Sequence, residues 1–331
     1  MKKLPVKIAG LGWYLPEQRV TNTDLENRLG IPAVWIERVS GVRERRYATH
    51  ETSVSMGGAA ARMALAQAAL HVGEIDAIIG ASTGAQQAIP CTAALLQREL
   101  DAPEGRSACF DVNATCLSFL FALHAAAHLV AGQVYHNVLI VSSEIASRSL
   151  NPRERESAVL FGDAAAAAIV TRSADEEGSA VWHAQFSTHS SGAELTQIVG
   201  GGTLHHPNDP TTTPEMNLFQ MRGPAIFKMA AQLSIPFVNR FFEELDWRRN
   251  EIDAVVPHQA SRHALELLSA RLGFQREQVI WNLALRGNCI AASIPLALAE
   301  AVHEQRIRRG QRVLLVGTGA GLTLGALALT Y

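Results

Sequence analysis

A chain of 331 residues can hold one large domain or two ordinary ones, and with 48% hydrophobic and 18% charged residues it reads as a well-buried α/β protein rather than a disordered or fibrous one. Its 29 basic and 31 acidic residues leave a net charge of −2, so no global basic field points to nucleic acid, and an acidic partner must be met by a local patch. Cys91, Cys109, Cys116 and Cys289 show neither paired C-x-x-C spacing nor a His/Cys cluster, which argues against a metal site or a disulfide framework and for reduced thiols in the cytoplasm.

The N-terminus leads into a strand at residues 6–9 without the apolar core of a signal peptide, and no apolar run is long enough to span a membrane. Strands are then expected at 77–80, 137–142, 164–171, 254–256 and 312–316, and helices at 55–71, 116–131, 222–245, 262–272 and 293–305. This alternation predicts a layered α/β architecture. The alanine-rich stretch 59–70 is apolar on most sides and is expected between sheets, which requires more than two layers. A charged turn at 172–178 divides the chain. On either side of it a glycine-bearing turn feeds a small, apolar strand: Phe161-Gly162-Asp163 into 164–171, and Gly317-Thr318-Gly319-Ala320-Gly321 into 322–331. That echo suggests an internal duplication. Residues 200–214, rich in Gly, Pro, Thr and His, read as an exposed loop with His205 and His206 solvated.

Within this frame Phe110-Asp111-Val112-Asn113-Ala114-Thr115-Cys116 carries a strand into a small-residue turn and sets Cys116 where a helical run begins. A thiol in the first turn of a helix is expected to have its pKa drawn from about 8.5 toward neutrality by free N–H groups and the helix dipole. A nucleophilic thiol needs donors and a proton partner nearby. His258 follows the strand at 254–256, and Asn288 precedes the helix at 293–305. Singly these read as a strand-end histidine and a turn or cap asparagine; together with Cys116 they form a Cys/His/Asn set.

The chain resembles the β-ketoacyl-acyl-carrier-protein synthase III family of thiolase-like condensing enzymes from Lys7 almost to Tyr331. The matching motifs are Gly10-Leu11-Gly12-Trp13-Tyr14-Leu15-Pro16, Trp35-Ile36 with Gly41-Val42-Arg43-Glu44-Arg45, Asp111 through Phe119 and Phe161-Gly162-Asp163. Met221 to Phe227, Pro257-His258-Gln259-Ala260, Gly287-Asn288 with Ala291-Ala292-Ser293, and the closing glycine-rich turn follow in the same order. The resemblance implies a thiolase-like fold, with duplicated α/β halves at 1–172 and 173–331 in a five-layered αβαβα arrangement. It implies that Cys116 takes an acyl primer from a thioester, and that His258 and Asn288 donate to a malonyl thioester as carbon dioxide leaves. The oxyanion would be held by the N–H groups of Cys116 and Ala320. Trp35 and Arg155 would sandwich the adenine of coenzyme A, Phe227 would line the substrate tunnel, and Ile89 would reach across a homodimer to limit chain length. Lys228, Arg262 and Arg271 would dock an acidic acyl carrier protein, while Arg306, Arg308, Arg309 and Arg312 form a separate basic run. Acyl-CoA or acyl-carrier and malonyl-carrier thioesters would be the substrates, with no cofactor, metal, nucleic acid or membrane partner.

The chain departs from the family pattern at Ser118 for glycine, Val39 (beside Arg38) and His263 for arginines, Ser261 for asparagine, and Thr318 for an aromatic gate. These positions bear on the primer and the carrier rather than on the chemistry. Two other functions fit the same residues: acyl transfer or non-decarboxylative condensation through the same acyl-cysteine, and a non-catalytic partner subunit of a synthase.

Overall fold

The structure, a computed structural model, describes residues 3–331 apart from the side chains of residues 268 and 271. The chain runs β1 (Val6–Tyr14), β2 (Gln18–Thr21), α1 (Asn22–Leu29), α2 (Ala33–Ser40), β3 (Glu44–Tyr47), α3 (Ser53–Ala68), β4 (Ala77–Gly80), α4 (Thr92–Glu99) and β5 (Ala108–Asp111). Next come α5 (Ser118–Ala131), β6 (Asn137–Glu144), α6 (Arg155–Ala158), β7 (Ala164–Arg172), β8 (Ala180–Thr188), β9 (Thr196–Gln197) and β10 (Gln220–Met221). The last part comprises α7 (Gly223–Glu244), β11 (Ala254–Pro257), α8 (Arg262–Leu272), α9 (Leu283–Arg286), α10 (Ser293–His303), β12 (Arg312–Gly319) and β13 (Thr323–Thr330).

Two mixed sheets share one topology. The first has the order β1-β7-β6-β4-β5, with β1/β7 and β7/β6 antiparallel and β6/β4 and β4/β5 parallel. In the second, β8/β13 and β13/β12 are antiparallel and β12/β11 parallel, and a parallel bridge from Val255 to Val279 stands where a fifth strand would lie.

Side-chain alternation turns these sheets into five layers, because successive residues of a strand face opposite sides. Ile78, Leu139 and Ile169 pack outward against α3 and α4, whereas Ile79, Ile140 and Val170 face inward onto α5 and α10. Val313 and Leu315 meet the same two helices from the second sheet, while Leu314 and Val316 face outward beneath α7 and α8. Both faces of each sheet are covered, so the strands read as near-continuous apolar runs. The order is αβαβα.

The alanine-rich helix is in an outer layer, not between the sheets as its composition suggested. α3 lies on the first sheet with Arg62, Met63 and Gln67 exposed. Its small residues serve close approach: a Cβ on Gly10 or Gly12 of β1 would stand 2.1 Å from the carbonyl oxygen of Ala64 or Ala60. The residues between the sheets are instead those of α5 and α10. The loop at 200–214 is largely exposed, as its composition predicted.

A small cap formed by β2, α1, α2 and β3 is tied to the body by Arg45. Its guanidinium is fully buried, donating from Nη1 to Asn22 Oδ1 at 2.7 Å and from Nη2 to the Val159 carbonyl at 2.7 Å.

Candidate active site

Cys116 lies two residues before α5, not in its first turn. Thr115 adopts φ +52°, an uncommon conformation for a β-branched residue. Hydrogen bonds hold this turn. Thr115 N–H donates to Asn113 Oδ1 at 3.0 Å, and Ala114 N–H donates to Ser118 Oγ at 3.0 Å. The fully buried Ser118 hydroxyl in turn donates to the Thr115 carbonyl at 2.7 Å. Ser118 thus belongs to the frame of the Cys116 turn.

The glycine-rich end of β12 closes on this turn. A Cβ on Gly319 would lie 2.7 Å from Thr115 Oγ1, and one on Gly317 would lie 2.7 Å from the His258 Cβ. Absence of side chains there lets His258, the Cys116 turn and Ala320 come together. The N–H groups of Ala320 and Cys116 both face the sulfur. They are the two amides expected to hold the oxyanion.

Burial pushes the Cys116 thiol up to about 12, and the Glu144 carboxylate adds to the rise; the two amides pull the other way and are outweighed. This reverses the expected lowering. The helix starts beyond the cysteine, and an acidic group that the sequence reading did not single out stands nearby. Glu144 ends the buried strand β6 and accepts from the Thr83 N–H at 2.6 Å, yet burial raises its carboxyl to about 7.

His258 sits at the C-terminal end of β11 with its N–H on the Val316 carbonyl at 2.9 Å. It is buried, its Nδ1 has no partner among the described residues, and desolvation lowers its pKa to about 4, so the imidazole is neutral at pH 7. A neutral imidazole offers one N–H donor. Gln259, next in the motif, supports it: its Nε2 donates to the carbonyls of Pro257 and Ile280 and its Oε1 accepts from Asn282 and Leu283 N–H groups.

Asn288 is oriented by its neighbours. Its Oδ1 accepts from the Ile290 N–H at 2.9 Å, so Nδ2 must face away, where it makes a long 3.4 Å bond to the carbonyl of Ala260. Ala260 itself bonds back to the His258 carbonyl. The amide therefore presents donors beside His258. Behind it, a Cβ on Gly162 would stand 2.1 Å from the Arg286 carbonyl, and Asp163 anchors the Phe161-Gly162-Asp163 turn by accepting from Ala48 and Ser147.

With this geometry in view, comparison with known proteins is decisive. The model of the 3-oxoacyl-[acyl-carrier-protein (ACP)] synthase III family matches residues 110–190, and the model of its C-terminal part matches residues 242–331. A β-ketoacyl-[acyl-carrier-protein] synthase III from Symbiobacterium thermophilum is 38% identical over 335 residues, spanning 100% of this chain and 99% of the relative. The chain belongs to this family. The synthase III crystal structure from Aquifex aeolicus superposes with a TM-score of 0.89 at 34% identity, over 98% of this chain and 100% of the other. The priming β-ketosynthase of the R1128 polyketide pathway gives 0.90 at 28% identity, over 99% and 96%.

The remaining candidate residues fall in several places. The Arg155 guanidinium lies over the Trp35 ring, 4.9 Å from its centroid. Phe227 lines a cavity that reaches His258. Ile89 is 82% exposed. Lys228 is exposed on α7, and Arg262 is half-buried against Gly41; the side chain of Arg271 lies outside the described residues. In the second basic run Arg309 donates to the Ile8 carbonyl and Arg312 pairs with Glu251 at 2.8 Å, so both are engaged within the fold. Ser261 caps α8 by accepting from the Ala264 N–H at 3.3 Å. Among the described residues, no three His, Cys, Asp or Glu side chains could hold a metal ion, and no helix is long and apolar enough to cross a membrane.

Proposed function

We propose that this chain primes acyl-chain synthesis: Cys116 takes an acyl group from a thioester, and a malonyl-carrier thioester then loses carbon dioxide and attacks the acyl-Cys116 carbonyl. The observation that carries this reading is the pairing of an uncharged His258 donor with an oriented Asn288 amide. Both can stabilise an enolate oxygen. Asn288 cannot accept a proton at all, and an imidazole with a pKa near 4 is a weak base, which suits an enolate made by loss of carbon dioxide rather than by deprotonation. The Cys116 and Ala320 amides would hold the oxyanion at the acyl carbon, each typically worth roughly 3–4 kcal/mol. The reaction needs no cofactor, since thiol and thioesters supply all the chemistry.

Trp35 and Arg155 are the proposed nucleotide clamp. A ring entering between them needs roughly 7 Å, twice the aromatic contact distance, so the 4.9 Å stack must open. A homodimer is supported by the exposed Ile89 and by β5, which ends the first sheet with one edge unpaired among the described residues. Lys228 and Arg262 are the proposed docking cations for an acidic carrier, and the free thiols suit the cytoplasm.

The test is intact mass after incubation with acyl-CoA and acyl-carrier thioesters, followed by malonyl-carrier and assays for carbon dioxide and a β-keto product. No adduct on the wild type, or an equal adduct on Cys116→Ala, would overturn an enzymatic role and favour a partner subunit. An adduct discharged only by an alcohol or amine, or by a second acyl thioester without carbon dioxide release, would replace decarboxylative condensation with the other acyl-cysteine chemistry.

A further inference from the structure

Two cavities bracket the reaction centre. The larger, of about 420 Å³, is lined by Glu144, Thr83 and Phe161. A second, of about 80 Å³, lies between α7 and α8 on the outer face of the second sheet and reaches His258 and Thr318. Small side chains contribute to its room, Ala231 from α7 and Ala260 and Ala264 at and beside the start of α8, and Phe227, Val238 and Leu324 line it with them. Thr318, which also lines it, stands where the sequence resemblance expects an aromatic gate. Thr318 and His258 both line the cavity, so its wall includes a residue of the Cys/His/Asn set.

We propose that this cavity receives an apolar substituent on the α-carbon of the malonyl-type thioester, making the chain competent for α-alkylmalonyl extender units. The inference rests on the decarboxylative reading above. If His258 and Asn288 hold the thioester carbonyl, the α-carbon is one bond away, and a branch on it that avoids the acyl-Cys116 carbonyl can enter the space beside His258. The bond from the α-carbon to the carboxylate breaks, carbon dioxide leaves, and the electron pair forms the enolate. The α-carbon then bonds to the acyl carbon, the bond to the Cys116 sulfur breaks, and the thiolate takes a proton from water. The product is an α-alkyl-β-keto thioester. One water needs roughly 10–15 Å³ on this measure, so about 80 Å³ suits a short branch of a few carbons rather than a fatty chain.

The test separates binding from turnover. Dissociation constants are measured for coenzyme A thioesters in which a sulfonate replaces the leaving carboxylate, with hydrogen, ethyl or butyl on the α-carbon. Affinity is expected to rise about threefold to fourfold per buried methylene. Ala231→Leu and Ala264→Leu, one from each wall, should each abolish that gain while leaving the unbranched analogue within about twofold. Equal affinities across the series, or a gain that survives both variants, would overturn the proposal. Condensation assays with malonyl- and ethylmalonyl-carrier follow on primer-loaded protein. Turnover of malonyl alone would also overturn it. Absence of carbon dioxide release from either thioester, with the affinity series intact, would refute the decarboxylative reading while supporting the cavity's ligand class.

Discussion

Replacing Ser118 by alanine tests how the Cys116 turn is held. The hydroxyl is fully buried and serves both the Ala114 N–H, at 3.0 Å, and the Thr115 carbonyl, at 2.7 Å. In the variant the Thr115 carbonyl keeps the Ser118 N–H, at 3.0 Å, but the Ala114 N–H loses its acceptor. One part-buried donor left unpaired costs about 1–3 kcal/mol. With an unfolding entropy of about 2.1 cal/mol/K per residue, a chain of 331 residues should melt about 1.5–4 °C lower. The functional loss should be larger. Thr115 is held at φ +52°, and once released the turn can relax and carry Cys116 with it. A displacement near 1 Å costs about a hundredfold in rate. Calorimetry reads the first effect, and the rate of adduct formation by rapid-quench mass spectrometry reads the second. A melting point within 1 °C of wild type, together with an unchanged acylation rate, would refute the assignment of Ser118 as the frame of this turn.

Three further outcomes follow from the site. The Glu144 carboxyl is raised in the fold to about 7 from an ordinary 4.5, so its contribution to stability is complete below pH 4.5 and lost as pH rises through 7; Glu144→Gln should therefore gain about 3 kcal/mol relative to wild type between pH 4.5 and pH 8 in urea titrations, and a flat difference would contradict it. His258 is lowered to about 4 from 6.5, so the unfolded chain takes its proton first and stability declines as pH falls through that window; His258→Gln should remove a slope worth about 2 kcal/mol between pH 7.5 and pH 4.5. Trp35→Ala should raise KM for coenzyme A thioesters about tenfold while leaving pantetheine thioesters unchanged; equal shifts for both would dismiss the clamp.

Much of the frame was legible because burial on both faces writes itself as apolar runs. Residues 77–80 and 262–272 match β4 and α8 residue for residue, and 164–171 falls one residue short of β7. β8 escaped notice because its exposed and half-buried residues, among them Gln185 and Ser187, break the pattern, and the short helices α1, α2 and α4 carry too few turns to display one. Cys116, His258 and Asn288 could be proposed as a set from the sequence, since each follows a strand end or turn with a recognisable motif. Electrostatics was not. The pull of the helix could be guessed from position, but desolvation of the thiol and the presence of Glu144 depend on which strand ends meet in space. Ser118 looked like a deviation until its two hydrogen bonds gave it work.

The burial of Arg45 bears on how a flat ring would enter beside Trp35. That guanidinium joins the cap at Asn22 to the chain at Val159, directly after α6, and Trp35 packs against the same apolar cluster. The indole is therefore mounted on the rigid body of the protein. Arg155, by contrast, begins a helix of four residues and is exposed. Opening the stack thus falls to one arginine arm, a side-chain rotation on the picosecond-to-nanosecond scale rather than a hinge motion of microseconds or more. Ligand capture at this mouth should be limited by encounter and not by a gate.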